Sequence, residues 1–419
     1  MKAAGIIAEY NPFHSGHGYH IEQTRKLTGA DYIVVVMSGD FVQRGDPACA
    51  DKYLRTRMAL MGGADLVIEL PALYATASAE YFATAGVKLL AGLHCVDHLS
   101  FGSEWGSLEE YRPYVELFCE EEDPYRNLLQ DYLRQGASYP SARSLAAGRI
   151  LSEKTFGFIK EEEADRFLKE PNHILGLEYL KALKREDPSM EPVAVLRQGP
   201  GYHDPDPGRG FSSATAIRKA VFEGTDKDLA INKLKPYLGP AADLFLEHID
   251  RHEYVTWEDL MPLLDYAVLN LEEGCFGVDH ELFQRIQKRY LPGKTLPEMV
   301  DILHTKNRTD AALRRALLHI LLKIGKEAVP EYAGDLKVPY ARVLGFRKEA
   351  SGLLKTMRKS SDIPVIQRPA EGISLLKNSP GELILYQMDL RCADLYEQVM
   401  AGKCKRQAVR ELSRQQVII

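Results

Sequence analysis

Hydrophobic positions fall into a repeated pattern of short apolar runs separated by amphipathic stretches. Ala3 to Ala8 is an apolar run that reads as a buried strand, broken by Asn11-Pro12. A helical pattern begins at Gly16 and runs to about Leu27. Asp31 to Met37 is a β-branched run ending in Ser38-Gly39-Asp40, a second strand and its turn. Lys52 to Met61 reads as a helix closed by Gly62-Gly63. Leu66 to Leu70 is a third strand stopped by Pro71, Ala77 to Ala91 a helix, and His98 to Gly102 a fourth strand. Strands alternating with helices predict an α/β fold of the Rossmann type, a parallel sheet covered on both faces. Ligands of such sheets bind beyond the carboxyl ends of the strands, which collects His14, Asp40 and Gly102 around one crevice.

The pattern then changes. Charged helical text over about 106–190 predicts a helical insertion, after which Pro192 to Arg197 resumes as a strand. A turn-rich stretch, Gln198 to Asp204, and a loop from Pro205 to Gly210 lead to Ser212-Ser213, which caps a helix from about Ala214 to Glu223. This predicts a nucleotide-binding domain over 1–225 and a mainly helical region over 226–419. Val338 to Phe346 and Leu383 to Tyr386 read as strand-like interruptions of the latter.

Charge adds an asymmetry. Residues 301–419 hold 21 Lys and Arg against 13 Asp and Glu, a balance of +8, so with a net charge of −6 the other 300 residues carry −14. A basic segment of this kind suits an acidic partner or is simply a solvated face. No apolar run reaches the ~20 residues that span a bilayer, and only Lys2 precedes the first strand, so no signal-peptide layout is expected. The six cysteines form no CxxC pair, which points to a reducing cytoplasm rather than a disulfide framework.

Candidate chemistry concentrates at the first strand–helix junction. His14-Ser15-Gly16-His17 is an HxGH sequence at a helix N-terminus, where free N–H groups favour an anion. Gly16 admits a nucleotide close to the backbone, and two imidazoles can donate to phosphate oxygens as charge moves toward pyrophosphate. The same histidines could instead cap the helix or ligate zinc. Far along the chain, Ser213-Ala214-Thr215-Ala216-Ile217-Arg218 offers hydroxyls, N–H groups and an arginine at a second helix start, suited to β- and γ-phosphates. These two motifs resemble the HIGH nucleotidyltransferase superfamily.

Longer stretches narrow the resemblance. Gly5 to His14, Met37 to Gly45, Pro171-Asn172-His173-Ile174-Leu175-Gly176, Arg197 ahead of Gly201-Tyr202-His203-Asp204, and Pro339 to Gly345 are similar to the tRNA(Met) cytidine acetate ligase family. The similarity covers essentially the whole chain. Ser15 stands where asparagine is common, and Leu196-Arg197-Gln198 where lysine–arginine is frequent. The resemblance implies a carbon–nitrogen ligase that activates acetate with ATP and acetylates N4 of the wobble cytidine of elongator tRNA(Met), with magnesium expected. It implies ATP contacts through Ile7, Ala8, Glu9, Tyr10, Asn11, Pro12, Phe13, His14, Ser15, Gly16, His17, Gly18, Tyr19 and His20, together with Gly102, Asn172 and Arg197. Ser213, Thr215 and Arg218 are expected on the phosphates, and His14 and His17 in catalysis. Asp40 is a candidate for placing magnesium or the amine, or else a turn-capping residue; Arg44 and Lys52 could meet phosphates.

Arg308, Arg314, Arg315, Arg342, Arg347 and Lys348, with Tyr340 and Phe346 nearby, make a candidate tRNA surface. Neither a membrane nor a protein partner is expected. The alternative is a cofactor-biosynthesis nucleotidyltransferase acting on a small phosphorylated substrate, which leaves the basic C-terminal region without a use.

Overall fold

A computed structural model describes residues 1–120, 122–197, 213–223 and 234–419. The turn expected over 198–204, the loop over 205–210 and the cap at Ser212 lie outside these residues. The strands in chain order are β1 (Ala3–Ala8), β2 (Tyr32–Ser38), β3 (Phe41–Val42), β4 (Asp46–Pro47), β5 (Leu66–Leu70), β6 (His98–Ser103), β7 (Glu191–Leu196), β8 (Ala341–Phe346), β9 (Val365–Ile366) and β10 (Val417–Ile418).

One sheet runs β10-β8-β5-β2-β1-β6-β7, with β9 on β8, while β3 and β4 form a separate small hairpin. The first five of its strands in sequence pair in parallel, and the order reverses between β1 and β6. That reversal is the switch point at which doubly wound sheets open a crevice. Alternate residues serve opposite faces. Ile7, Val34, Val36 and Ile68 enter one core, and Ile6, Ile33, Val35 and Val67 the other.

The C-terminal region does not stay apart from this sheet. β8 pairs antiparallel with β5, and β9 and β10 run parallel to β8. The sheet is therefore mixed, and the expected change of domain at residue 225 is not a boundary of the sheet. Leu383 to Tyr386 is a correction: it lies inside the helix Pro380–Lys403, where Leu385 and Tyr386 point to the buried side. Four apolar residues are too few for periodicity to tell strand from helix. The helices between β6 and β7, from Arg112–Glu120 to Pro171–Glu186, form the long crossover. Among the described residues no helix is long and apolar enough to cross a membrane.

Candidate active site

β1 ends at Ala8, and the chain turns through Tyr10, held at φ 46°, to His14, the cap of the helix Ser15–Thr28. His14 Nδ1 accepts the Gly16 N–H at 3.1 Å, and His17 Nδ1 accepts the His14 N–H at 3.2 Å. An imidazole nitrogen that accepts carries no proton, so both neutral rings keep theirs on Nε2. The rings stack with centroids 3.7 Å apart. Burial, then the charges of Arg197 and Arg218, lower the His14 pKa to about 3. Burial also holds His17 well below the ordinary imidazole range, helped by His14, Arg197 and His20. Two neutral N–H donors, rather than two cations, stand at this helix N-terminus.

Around them opens a cavity of about 1070 Å³. β1 contributes Ile6 to Ala8, and Glu9, Tyr10 and Asn11 follow; the helix behind contributes Gly16, Tyr19 and His20. Gly102, Asn172, Arg197, Ser213, Thr215 and Arg218 complete the expected set along the walls. A Cβ at Gly102 would come within 3.4 Å of Arg197 Cγ, so a side chain there would crowd the arginine lying across the strand end. Ser213 Oγ caps its helix by accepting the Ala216 N–H at 3.1 Å. Arg218 reaches the first motif, donating to the Asn11 carbonyl at 2.5 Å and to Thr215 Oγ1 at 3.3 Å. The two motifs, some two hundred residues apart in sequence, are thus joined by a hydrogen bond.

Four expected contacts do not line the cavity: Pro12, Phe13, Ser15 and Gly18. Phe13 is fully buried in the core, its ring against Gly62. Asp40 is a larger correction. It is buried away from the cavity, accepts the Lys52 N–H at 2.8 Å, and burial pushes its pKa up to about 7. Lys52 is equally sequestered, 2.8 Å from Glu69 and from Glu411. The Asp40 side chain meets the N-terminus of the helix Lys52–Met61 rather than capping its own turn.

The expected tRNA set divides. Arg342 is 2 % exposed and ion-paired to Glu69 at 2.9 Å and to Glu411, so it presents nothing to solvent. The cause is its place on β8, a strand buried on both faces. Arg308 pairs with Asp279, Arg347 donates to the Leu60 carbonyl at 3.0 Å, and Lys348 is exposed; none lines the cavity. Arg314 and Arg315 do line it, from the helix Asp310–Leu322. That helix lies against the β3–β4 turn because Gly45, at φ +79°, has no Cβ; one there would come within 2.5 Å of Arg315 N.

Sequence reasoning missed Asp46 and Trp257. Asp46 Oδ1 accepts from Arg314 at 3.1 Å and from the Trp257 indole at 3.0 Å, tying hairpin, helix and basic region into one wall. One of only two tryptophans was the available signal. Among the described residues, six cationic side chains (Arg44, Arg197, Arg218, Lys219, Arg314 and Arg315) face the cavity against two carboxylates, Glu9 and Asp46. The net −6 chain keeps a positive cleft. Such an excess of cations over a pair of helix N-termini suits a polyphosphate.

Comparison with known proteins agrees. The family model described as HIGH Nucleotidyl Transferase matches residues 1–411. A tRNA(Met) cytidine acetate ligase of Thermoanaerobacter sp. (strain X514) is 36% identical over 400 residues, 94% of this chain and 95% of that one. Another, from Halothermothrix orenii, is 35% identical over 97% of both chains. Two crystal structures of Thermotoga maritima TmcAL, one bound with alpha-thio ATP and one apo, superpose over 100% of both chains with TM-scores of 0.88 and 0.91 at 29% identity.

Proposed function

The chain belongs to the tRNA(Met) cytidine acetate ligase family, within the HIGH nucleotidyl transferases, and on that premise we propose that it activates acetate with ATP and acetylates N4 of the wobble cytidine of elongator tRNA(Met). The cationic cleft at the β1–β6 switch point, with two neutral imidazole donors at its mouth, carries the reading.

Acetate by itself is a poor acyl donor, because oxide is a hopeless leaving group. Attack of its carboxylate oxygen on the α-phosphorus forms acetyl-adenylate and breaks the bond to pyrophosphate. Charge then gathers on the α- and β-phosphate oxygens. The Nε2–H groups of His14 and His17 are suited to meet it as fixed donors that need no proton transfer. Arg197, Arg218 and Lys219 are suited to the triphosphate. Magnesium, if it accompanies ATP, would be held by the triphosphate rather than by the chain and would offset phosphate charge; among the described residues no group of three or more His, Cys, Asp or Glu would hold an ion by itself. AMP then leaves as the cytidine amine attacks the acyl carbon. Arg314 and Arg315 are assigned to the tRNA side of the cleft. A cytoplasmic location accords with six free cysteines.

The test is ATP–pyrophosphate exchange with purified protein, together with transfer of labelled acetate to tRNA. Exchange that depends on acetate, and label recovered in an acid-stable nucleoside only when tRNA is present, is the expected result. Exchange stimulated by a phosphorylated small molecule but not by acetate would overturn the reading in favour of a cofactor-biosynthesis nucleotidyltransferase.

A further inference from the structure

We infer that Glu9 takes the proton from the acceptor amine as the acetyl group moves onto it. The inference rests on the function proposed above and names the missing base of its second step.

When cytidine N4 attacks acetyl-adenylate, an N–C bond forms and the acyl C–O bond breaks, its electron pair leaving with AMP. The nitrogen must give up one proton, and an exocyclic aromatic amine does not shed it unaided. The cavity holds few groups able to receive it. The Nδ1 atoms of His14 and His17 already accept backbone N–H groups, and their Nε2 atoms carry protons. His20 is bonded through Nε2 to Ser100 Oγ at 3.0 Å, and burial lowers its pKa to about 4, which makes it a weak base for the step. Among the described residues that leaves two carboxylates on the walls, Glu9 and Asp46. Asp46 is ion-paired with Arg314 at 3.1 Å, and the same Oδ1 takes the Trp257 indole at 3.0 Å. Glu9 accepts the Gln43 N–H through Oε1 at 3.0 Å and has no ion pair within 4.0 Å among the described residues.

Its place favours the same role. Glu9 follows β1 directly at the switch point, five residues before the first histidine of the motif. Arg55 donates to its main-chain carbonyl at 2.7 Å and fixes the strand end from which the side chain enters the cavity. Arg44 and Asp46 face it from the hairpin, Arg218 from the helix Ala214–Glu223, and the Tyr179 phenol from the helix Pro171–Glu186. Burial raises its pKa, with Arg44 and Arg218 opposing, which brings the carboxylate toward the basicity a neutral-pH proton acceptor needs. The cavity, at about 1070 Å³, exceeds the ~300–1,000 Å³ of ordinary small-molecule sites and leaves room for a base beside the adenylate.

The experiment uses the full chain, unmodified tRNA(Met) transcript and chemically prepared acetyl-adenylate, so that the first step is bypassed. Transfer is followed in single turnover across pH, and acetate-dependent exchange is measured alongside. Glu9→Gln keeps an oxygen for the Gln43 N–H, which preserves the local fold. Its transfer rate should fall about 100-fold and at least tenfold further than its exchange rate. The acid limb of the transfer pH profile should vanish with it, and Glu9→Asp should recover part of the rate. Transfer by Glu9→Gln within tenfold of the unaltered chain, or exchange falling as far as transfer, overturns the inference. So does Asp46→Asn removing the acid limb while Glu9→Gln retains it. If the unaltered chain shows no acetate-dependent exchange, the proposed function fails, and the base assignment fails with it.

Discussion

Two regions of this protein concentrate charged side chains, and they differ in how the charge is compensated. Behind the sheet, Lys52 and Arg342 are enclosed with Asp40, Glu69 and Glu411, all nearly inaccessible to water. Burial and Arg342 both oppose the Lys52 charge, yet the three carboxylates raise its pKa overall. Lys52 and Arg342 hold Glu411 well below the usual carboxylate range against the cost of burial. The carboxylates outnumber the cations here, and burial pushes Asp40 up to about 7, so it can give up its charge, as can Asp389 beside Glu69. In the cleft the balance is reversed: among the described residues, six cations stand against two carboxylates and three imidazoles held neutral. Compensated charge builds the joint between the N-terminal strands and β8. Uncompensated charge marks where a ligand must supply the missing anion.

The first way to break this contrast is Arg342→Ala. Removing one partner strands buried carboxylates, and such losses cost about 3–5 kcal/mol. Denaturant unfolding should show that loss while exchange per folded molecule stays as before; a stable variant with lost exchange would move Arg342 into the site. His17→Ala should do the opposite. Deleting one preorganised donor should lower acetate-dependent exchange by about 10²-fold, with tRNA binding nearly intact. Equal loss of both would make the motif a helix cap and nothing more.

Arg314→Ala and Arg315→Ala should weaken tRNA binding more modestly, each lowering the slope of affinity against salt by about 1. Unaltered tRNA affinity with weakened ATP binding would reassign the pair to the triphosphate.

The smallest effect concerns pH and has opposite signs in the two regions. The folded-state pKa of Asp40 lies above its ordinary value, so its share of stability is present at low pH and lost as pH rises through about 7. Folded His14 and His20 titrate near 3 and 4, so the unfolded chain binds their protons first and stability falls as pH drops below ~6.5. Thermal melts should show Asp40→Asn removing a loss of stability as pH rises from about 4 to about 7, and His20→Asn removing a loss as pH falls from ~6.5 to about 4. A loss on raising pH over that window that survives Asp40→Asn would remove Asp40 as its source.

Much of this was legible from local pattern. Lys52 to Met61 and Leu66 to Leu70 stand at the bounds their sequence suggests, because a cap, a glycine pair and a proline act within a few residues. The HxGH turn was readable for the same reason: its caps are made by its own backbone. Arg314 and Arg342 show where reading stopped. Each sits in a basic, partly aromatic segment, and nothing nearby in sequence separates them.

What the sequence alone determined, then, is the parallel strands β1, β2, β5, β6 and β7 and the two helices whose starts carry the motifs. Only the tertiary structure decided which cations are spent on Glu69 and Glu411 and which remain for a ligand. The reason is physical: periodicity is a property of neighbours along the chain, whereas desolvation and ion pairing depend on whatever the sheet brings near. β8 pairing with β5 carried Arg342 inside, and the missing Cβ of Gly45 let Arg314 and Arg315 close the cleft.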